Sequence, residues 1–245
     1  MFNQALRETA EQIDRLIAAD PFPNTIEPEF LREAVKDYPG RGGKRLRPAI
    51  VLWCCGLFGG NTARALNAAA AAEIFHNWTL VHDDIIDNDD LRRNRPTCHA
   101  ALREFGLRQY ELDTNTARRF GTNFAILTGD LQQAWANSML LRSIDHGVSP
   151  MLAVKLTLRM QEFVNRELIS GEALDVEFPF IGPAGLKAEQ ICRMLYLKTG
   201  VLLRFCAETG AMIALDCDDV ACPEIAAIGE FAAEAGVAFQ YRDDW

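Results

Sequence analysis

No stretch of this sequence sustains the ~18 uninterrupted apolar residues that a membrane-crossing helix needs, so no membrane span is expected. Positive charge is in deficit. Against 34 Asp and Glu stand 25 Lys and Arg, a net charge of −9, which speaks against a nucleic-acid binder with its usual basic face. Strand-like alternation is nearly absent, as are fixed-period repeats, low-complexity tracts and linker-like segments. These absences leave an all-α chain, expected to form a single domain over residues 1–245. The opening residues MFNQALRETAEQIDRL contain no basic leader followed by an apolar core, so no secretory signal is read and a cytoplasmic protein is expected. Cysteine is present but lacks pattern. Seven is an odd number, and Cys217 and Cys222 flank an acidic turn with no second ligand pair. Neither a disulfide framework nor a zinc site follows, and the thiols read as reduced, mostly packed as small hydrophobes.

What remains is helical periodicity. Phe2–Ala19 mixes apolar and charged residues at helical spacing and stops at Asp20-Pro21-Phe22-Pro23. A second helix opens at Glu27-Pro28-Glu29, where proline gives up a donor that had no partner and the acids suit the positive end of the dipole. It is expected to end at Pro39-Gly40. A third runs from Pro48 to Gly59-Gly60, and Asn61 or Thr62 caps a fourth, from about Ala63 to Asp87. Further helices are expected over Thr97–Phe105, Phe124–Ile144, Pro150–Ser170, Lys187–Leu215 and Pro223–Trp245. Residues Leu107 to Phe120 read as extra polar residues in a surface loop or short helix.

Chemistry concentrates at the end of the fourth helix, in Asp83-Asp84-Ile85-Ile86-Asp87 followed by Asn88-Asp89-Asp90-Leu91-Arg92-Arg93. Asp83 and Asp87 fall one turn apart on one face, while Asp84 points about 100° around the helix. Two such carboxylates can hold Mg²⁺, which keeps much of its shell for water and phosphate oxygens. Two arginines beyond them can fork onto phosphate. Carboxylate, metal and arginine together describe a diphosphate site. Upstream, Gly42-Gly43-Lys44-Arg45-Leu46-Arg47-Pro48 offers close backbone approach and fixed positive charge, and His76 lies two turns above Asp83 on the same face. Each alone has a bland counterpart: a solvated basic loop, a core histidine, a surface acidic patch.

The string HNWTLVHDDIIDNDDLRRNRPTCH, preceded by GGKRLRP, closely resembles the trans-type polyprenyl diphosphate synthases of the short-chain type, which include farnesyl and geranylgeranyl diphosphate synthases. The likeness continues in order through Gly129-Asp130, Gly171-Glu172-Ala173-Leu174-Asp175, Lys198-Thr199-Gly200 and Phe239-Gln240-Tyr241-Arg242-Asp243-Asp244. It implies an isoprenoid-synthase-type helical bundle around a central active-site cavity, usually homodimeric. It also implies a Mg²⁺-dependent condensation of isopentenyl diphosphate with an allylic diphosphate, giving a trans-prenyl diphosphate and diphosphate. On that resemblance Lys44, Arg47, His76 and Arg93 would hold isopentenyl diphosphate, and Arg92, Lys198, Thr199 and Gln240 the allylic diphosphate. Asp83, Asp87 and Asp243, with Asp84 and Asp244 as lesser candidates, would bind the metal. Asp83, Asp87, Arg92, Lys198 and Asp243 would be the catalytic set. Trp78, five residues before Asp83, would form the floor that limits elongation, predicting a twenty- or fifteen-carbon product; its bulk also suits packing at a helix interface.

The sequence departs from the family pattern in three places. It stops at Asp243-Asp244-Trp245, where the second aspartate motif would continue to a third aspartate and further helices, so a longer protein is expected in preference to a truncated member. Glu172 replaces a glutamine often found in its motif. The third departure is the Leu107–Phe120 stretch. A class I terpene cyclase is the enzymatic alternative, but Asn165, Ile169 and Ala173 do not match its distal metal motif. The non-catalytic alternative is a regulatory subunit of a heteromeric synthase; such subunits usually lose the first aspartate motif, which is whole here.

Overall fold

The structure, a computed structural model, describes residues 2–182 and 185–243, the last two by backbone alone. Regular structure among these is helical apart from one ribbon of two-residue strands. The chain forms two compact units, residues 1–45 with 70–138 and residues 46–69 with 139–245.

The first unit opens with α1 (Phe2–Ala19), whose expected span holds; it buries Thr9, Ile13 and Ile17 along one stripe. Asp20 ends it. Its Oδ1 accepts from Phe22 N at 3.0 Å and from the buried indole of Trp135 at 2.9 Å, which fixes the chain's exit. α2 (Glu29–Gly40) ends at Gly40 as expected and includes Pro39 in its last turn. Proline removes the N–H that would bond the carbonyl four residues back. That carbonyl, Val35 O, instead accepts from the amide of the fully buried Gln132 at 3.0 Å, so the helix loses no partner by crossing the proline.

α4 (Leu66–Ile86) carries the fully buried run Ala68–Ala72. After it, β1 (Leu91–Arg92) and β2 (Arg95–Pro96) pair antiparallel across a two-residue turn at Arg93-Asn94. Both turn residues have positive φ, 52° and 60°, the geometry that matches the twist of a tight hairpin. α5 (Cys98–Tyr110) and α6 (Thr114–Leu141) follow. The stretch over 107–120, expected as a surface loop or short helix, is neither: it holds the last turn of α5, a three-residue junction at 111–113 and the start of α6. Glu111 ends α5 in the left-handed region, and Asp113 caps α6 by accepting from the backbone of Asn115 and Thr116. Phe30, Phe105, Tyr110, Phe120 and Phe124 close an aromatic cluster around this junction, which stabilises helix where polarity alone suggests loop.

The second unit contains α3 (Leu46–Leu57), α7 (Pro150–Arg159), α8 (Arg166–Ile181), α9 (Ala188–Leu195), α10 (Val201–Leu215) and α11 (Pro223–Asp243). α10 is its axis, buried along most of its length and packed against α3 and α11. A Cβ on Gly210 would lie 2.2 Å from Val51 O, so only glycine lets α3 come this close. Glu208 is fully buried on α10 and neutralised by Arg159 at 2.5 Å and Arg204 at 2.8 Å. Two π-type turns, Met160–Asn165 and Tyr196–Gly200, break the longer helices read from sequence. Such turns insert a residue into the helical ladder and redirect the side chains around them. Among the described residues no helix is long and apolar enough to cross a membrane.

Replacing Gln132 by Met should cost about 1–3 kcal/mol, the loss of a buried partner for Val35 O. The cost should shrink in a Pro39→Ala background, where the restored backbone N–H can serve that carbonyl. Urea denaturation of the four proteins in the cycle measures it; purely additive effects would refute the account of how α2 crosses Pro39.

Candidate functional site

Most of the first unit's charged site residues lie at the C-terminal end of α4 and on the ribbon. The backbone N–H of Asp87 donates to Asp83 O at 2.8 Å, so the two carboxylates stay one helical turn apart although α4 ends at Ile86. Asn88, with φ 56°, then turns the chain out of the helix. Asp83 is partly buried and Asp87 exposed, while Asp84 is buried at 1%.

Asp84, about 100° around the helix from Asp83, faces inward. Its Oδ2 accepts a very short hydrogen bond from the Tyr38 hydroxyl, and its Oδ1 accepts from Arg92 Nε at 2.7 Å and lies in ion-pair contact 2.6 Å from Nη2. Arg92 Nη2 also reaches Asp83 Oδ2 at 3.1 Å. Burial works against the Arg92 charge, yet the hydrogen bond and charge of Asp84, with Asp83 behind them, hold the guanidinium protonated above its ordinary range. Burial, then Asp84, pushes the Tyr38 phenol well above its usual value, so it remains a donor. With both oxygens occupied inside the protein, Asp84 is a poor metal ligand. Asp83 and Asp87 present the hard, accessible oxygens that suit Mg²⁺. Among the described residues no group of three or more His, Cys, Asp and Glu side chains is gathered to enclose a metal.

The glycine-rich loop precedes α3. Gly42 and Gly43 take φ of 73° and 148°, and a Cβ on Gly43 would lie 3.4 Å from Arg93 Nη1, so the loop backbone passes beside that guanidinium. Lys44 is exposed there. Arg45 is not. It is buried at 3% and bonded to Asp14 and Glu73 at 2.7 Å each, with its third contact at 2.5 Å to Pro39 O. Arg47 is the second residue of α3 and half-buried. His76 is half-buried on α4, its Nδ1 3.4 Å from Thr79 Oγ1. Trp78 is buried, packed between Phe75 at 4.9 Å and His82 at 5.7 Å between ring centroids.

In the second unit Lys198 and Thr199 sit in the π-type turn Tyr196–Gly200. Lys198 Nζ binds Asp175 at 2.6 Å and Glu172 at 2.9 Å. Gly171 makes this reach possible, since a Cβ there would lie 2.6 Å from Lys198 N. Thr199 Oγ1 donates to Gln240 Oε1 at 3.4 Å. Asp243 is the last residue of α11 and its side chain lies outside the described residues, as does Asp244.

Sequence reasoning missed Tyr38, the Arg45–Glu73 pair and the acids beneath Lys198. The i, i+3 spacing of Glu172 and Asp175 was a usable signal for the last, because it puts both on one helix face. Tyr38 and Asp84 are 46 positions apart, and no local pattern joins them.

A family model described as Polyprenyl synthetase matches residues 28–245. Among curated proteins, the chain is 33% identical over 206 residues to a geranylgeranyl diphosphate synthase of Sulfolobus acidocaldarius, covering 83% of this chain and 54% of that protein. It is 31% identical over 220 residues to a farnesyl diphosphate synthase of Geobacillus stearothermophilus, covering 89% and 66%. The solved geranylgeranyl pyrophosphate synthetase of the archaeon Geoglobus acetivorans superposes with a TM-score of 0.81 at 30% identity, over 98% of this chain and 68% of that one. The chain thus spans about half the length of the first curated relatives it matches.

Arg45→Ala should destabilise the protein by about 3–5 kcal/mol, because Glu73 is left charged and buried. Removing Glu73 as well should recover part of the loss, and the midpoint of urea unfolding reads both.

Proposed function

The chain belongs to the polyprenyl synthetase family, and on that premise we propose that it is a Mg²⁺-dependent trans-prenyltransferase joining isopentenyl diphosphate to an allylic diphosphate. The observation that carries the reading is the fork of Arg92 on Asp83 and Asp84, with Asp87 one turn beyond. That arrangement holds a guanidinium beside two accessible carboxylates, the donor set an ionising diphosphate requires.

A diphosphate leaves only when its developing negative charge is neutralised. Arg92 and Lys198 supply fixed positive charge for this, worth more in a water-poor site than in bulk solvent. Mg²⁺ held by Asp83 and Asp87, and by Asp243, would supply Lewis-acid neutralisation of the same charge. Thr199 and Gln240 orient the allylic diphosphate. Lys44, Arg47, His76 and Arg93 bind isopentenyl diphosphate, whose diphosphate is retained in the product and needs holding, not ionising. The allylic C–O bond breaks with its electron pair on diphosphate, the isopentenyl double bond attacks the allylic cation, and loss of a proton restores an alkene. Apolar walls keep water from that cation.

Trp78 is assigned as the floor that stops elongation, giving a product of fifteen or twenty carbons. Its burial against Phe75 and His82 supports the assignment, since a fixed indole limits depth where a mobile side chain would yield. The protein is further proposed to act as one catalytic domain, as a cytoplasmic homodimer.

The test is a condensation assay on the full-length protein with Mg²⁺, isopentenyl diphosphate and, in turn, dimethylallyl, geranyl and farnesyl diphosphate, with products sized by mass. A fifteen- or twenty-carbon diphosphate is expected, abolished by EDTA. No condensation with any primer in a folded protein would overturn the reading in favour of a regulatory subunit. Trp78→Ala should shift the products to longer chains, and an unchanged distribution would remove Trp78 as the floor.

A further inference from the structure

We infer that Tyr38 is a positioning residue for the allylic diphosphate, acting through Asp84 on Arg92; this rests on the proposed function. Tyr38 is a buried α2 residue with 3% exposure, and neither its position nor its type belongs to the motifs that suggest diphosphate chemistry. Its hydroxyl lies at a three-way junction. It donates to Asp84 Oδ2 on α4 and accepts from the backbone N–H of Cys98, the first residue of α5, at 3.1 Å.

The consequence for Arg92 is geometric. Asp84 can turn about its side-chain torsions unless both oxygens are held. Tyr38 holds one, so the other faces Arg92 in a fixed direction, takes its Nε hydrogen bond and stays in ion-pair contact with Nη2. The Nε bond to Asp84, with the Nη2 bond to Asp83, sets the plane of the guanidinium. No partner among the described residues takes Arg92 Nη1. The edge offered to a phosphate is therefore decided by Tyr38, which need not touch the ligand.

The surroundings make the junction rigid. Arg41 stacks over the Tyr38 ring at 4.3 Å, pairs with Asp37 and donates to Pro96 O on β2 at 2.7 Å. The ribbon bearing Arg92 is thus tied to α2 at the same place where α2 holds Asp84. Thr97, next in the chain, donates through Oγ1 to Asp89 O at 2.7 Å and closes the loop between α4 and α5. Only the hydroxyl of Tyr38, however, reaches the carboxylate. A phenylalanine would keep the ring, the Arg41 contact and most of the packing while removing the bond that orients Asp84.

The decisive experiment is a double-mutant cycle of Tyr38→Phe and Arg92→Ala in the full-length protein, read as KM for geranyl diphosphate and for isopentenyl diphosphate. Tyr38→Phe alone should raise the allylic KM by about tenfold, the scale of one hydrogen bond to a charged group, and leave the isopentenyl KM unchanged. In the Arg92→Ala background the same change should have almost no further effect, because its target is gone. Additive effects, or equal losses for both substrates, would make Tyr38 structural only and overturn the inference. If Tyr38→Phe does not fold, the cycle is run with Asp84→Asn, for which the same coupling is expected and additivity is equally fatal. Should the unaltered protein show no condensation, the proposed function has failed independently. The cycle is then read from calorimetric binding of inorganic diphosphate with Mg²⁺, where coupled losses support the relay and additive losses refute it.

Discussion

A carboxylate buried at 1% exposure is tolerable only if its charge is met, and Asp84 is met twice, by Tyr38 and by Arg92. The placement of Arg92 and of the aspartate motif depends on that requirement. The pairing draws the ribbon back toward the helix end, sets the guanidinium of Arg92 beside Asp83, and leaves Asp83 and Asp87 as the accessible members of the aspartate motif. The motif is therefore a division of labour among three similar side chains. Helix geometry turns one inward, against Tyr38 and Arg92, and two outward.

The same economy of buried charge recurs elsewhere. Arg45 ties the glycine-rich loop to α1, to the end of α2 and to Glu73 on α4, so that the neighbouring Lys44 projects from a fixed backbone. In the second unit Glu208, fully buried, gathers Arg159 and Arg204, which anchors the segments on either side of the two π-type turns. Each buried pair would be costly if broken and adds little beyond packing when whole. Their value lies in fixing direction. Lys198 illustrates the other case, a partly exposed cation held by Glu172 and Asp175.

The helices were legible wherever one face is apolar and the ends carry punctuation, as in α1, and the separation of Asp84 from Asp83 around the helix followed from its spacing. The clustering of carboxylates and arginines was legible too, since such residues close in sequence stay close on a helix and its following turn. What sequence hid was anything decided across the fold. The chain crosses Pro39 because Gln132 takes over Val35 O from 97 positions away. The α5–α6 junction is helix because aromatics from three elements cover it. The ribbon after Asp90 is only two residues per strand, too short for alternation to register. Tyr38 belongs with these.

In the proposed function one diphosphate is held by protein cations alone and the other through metal as well. Calorimetry on the full-length protein, with isopentenyl diphosphate and with a non-ionising thiolodiphosphate of the allylic substrate, each with Mg²⁺ and with EDTA, tests it most directly. The account predicts that isopentenyl diphosphate binding survives EDTA while binding of the allylic analogue is lost. Equal dependence of both ligands on the metal, or independence of both, would contradict it.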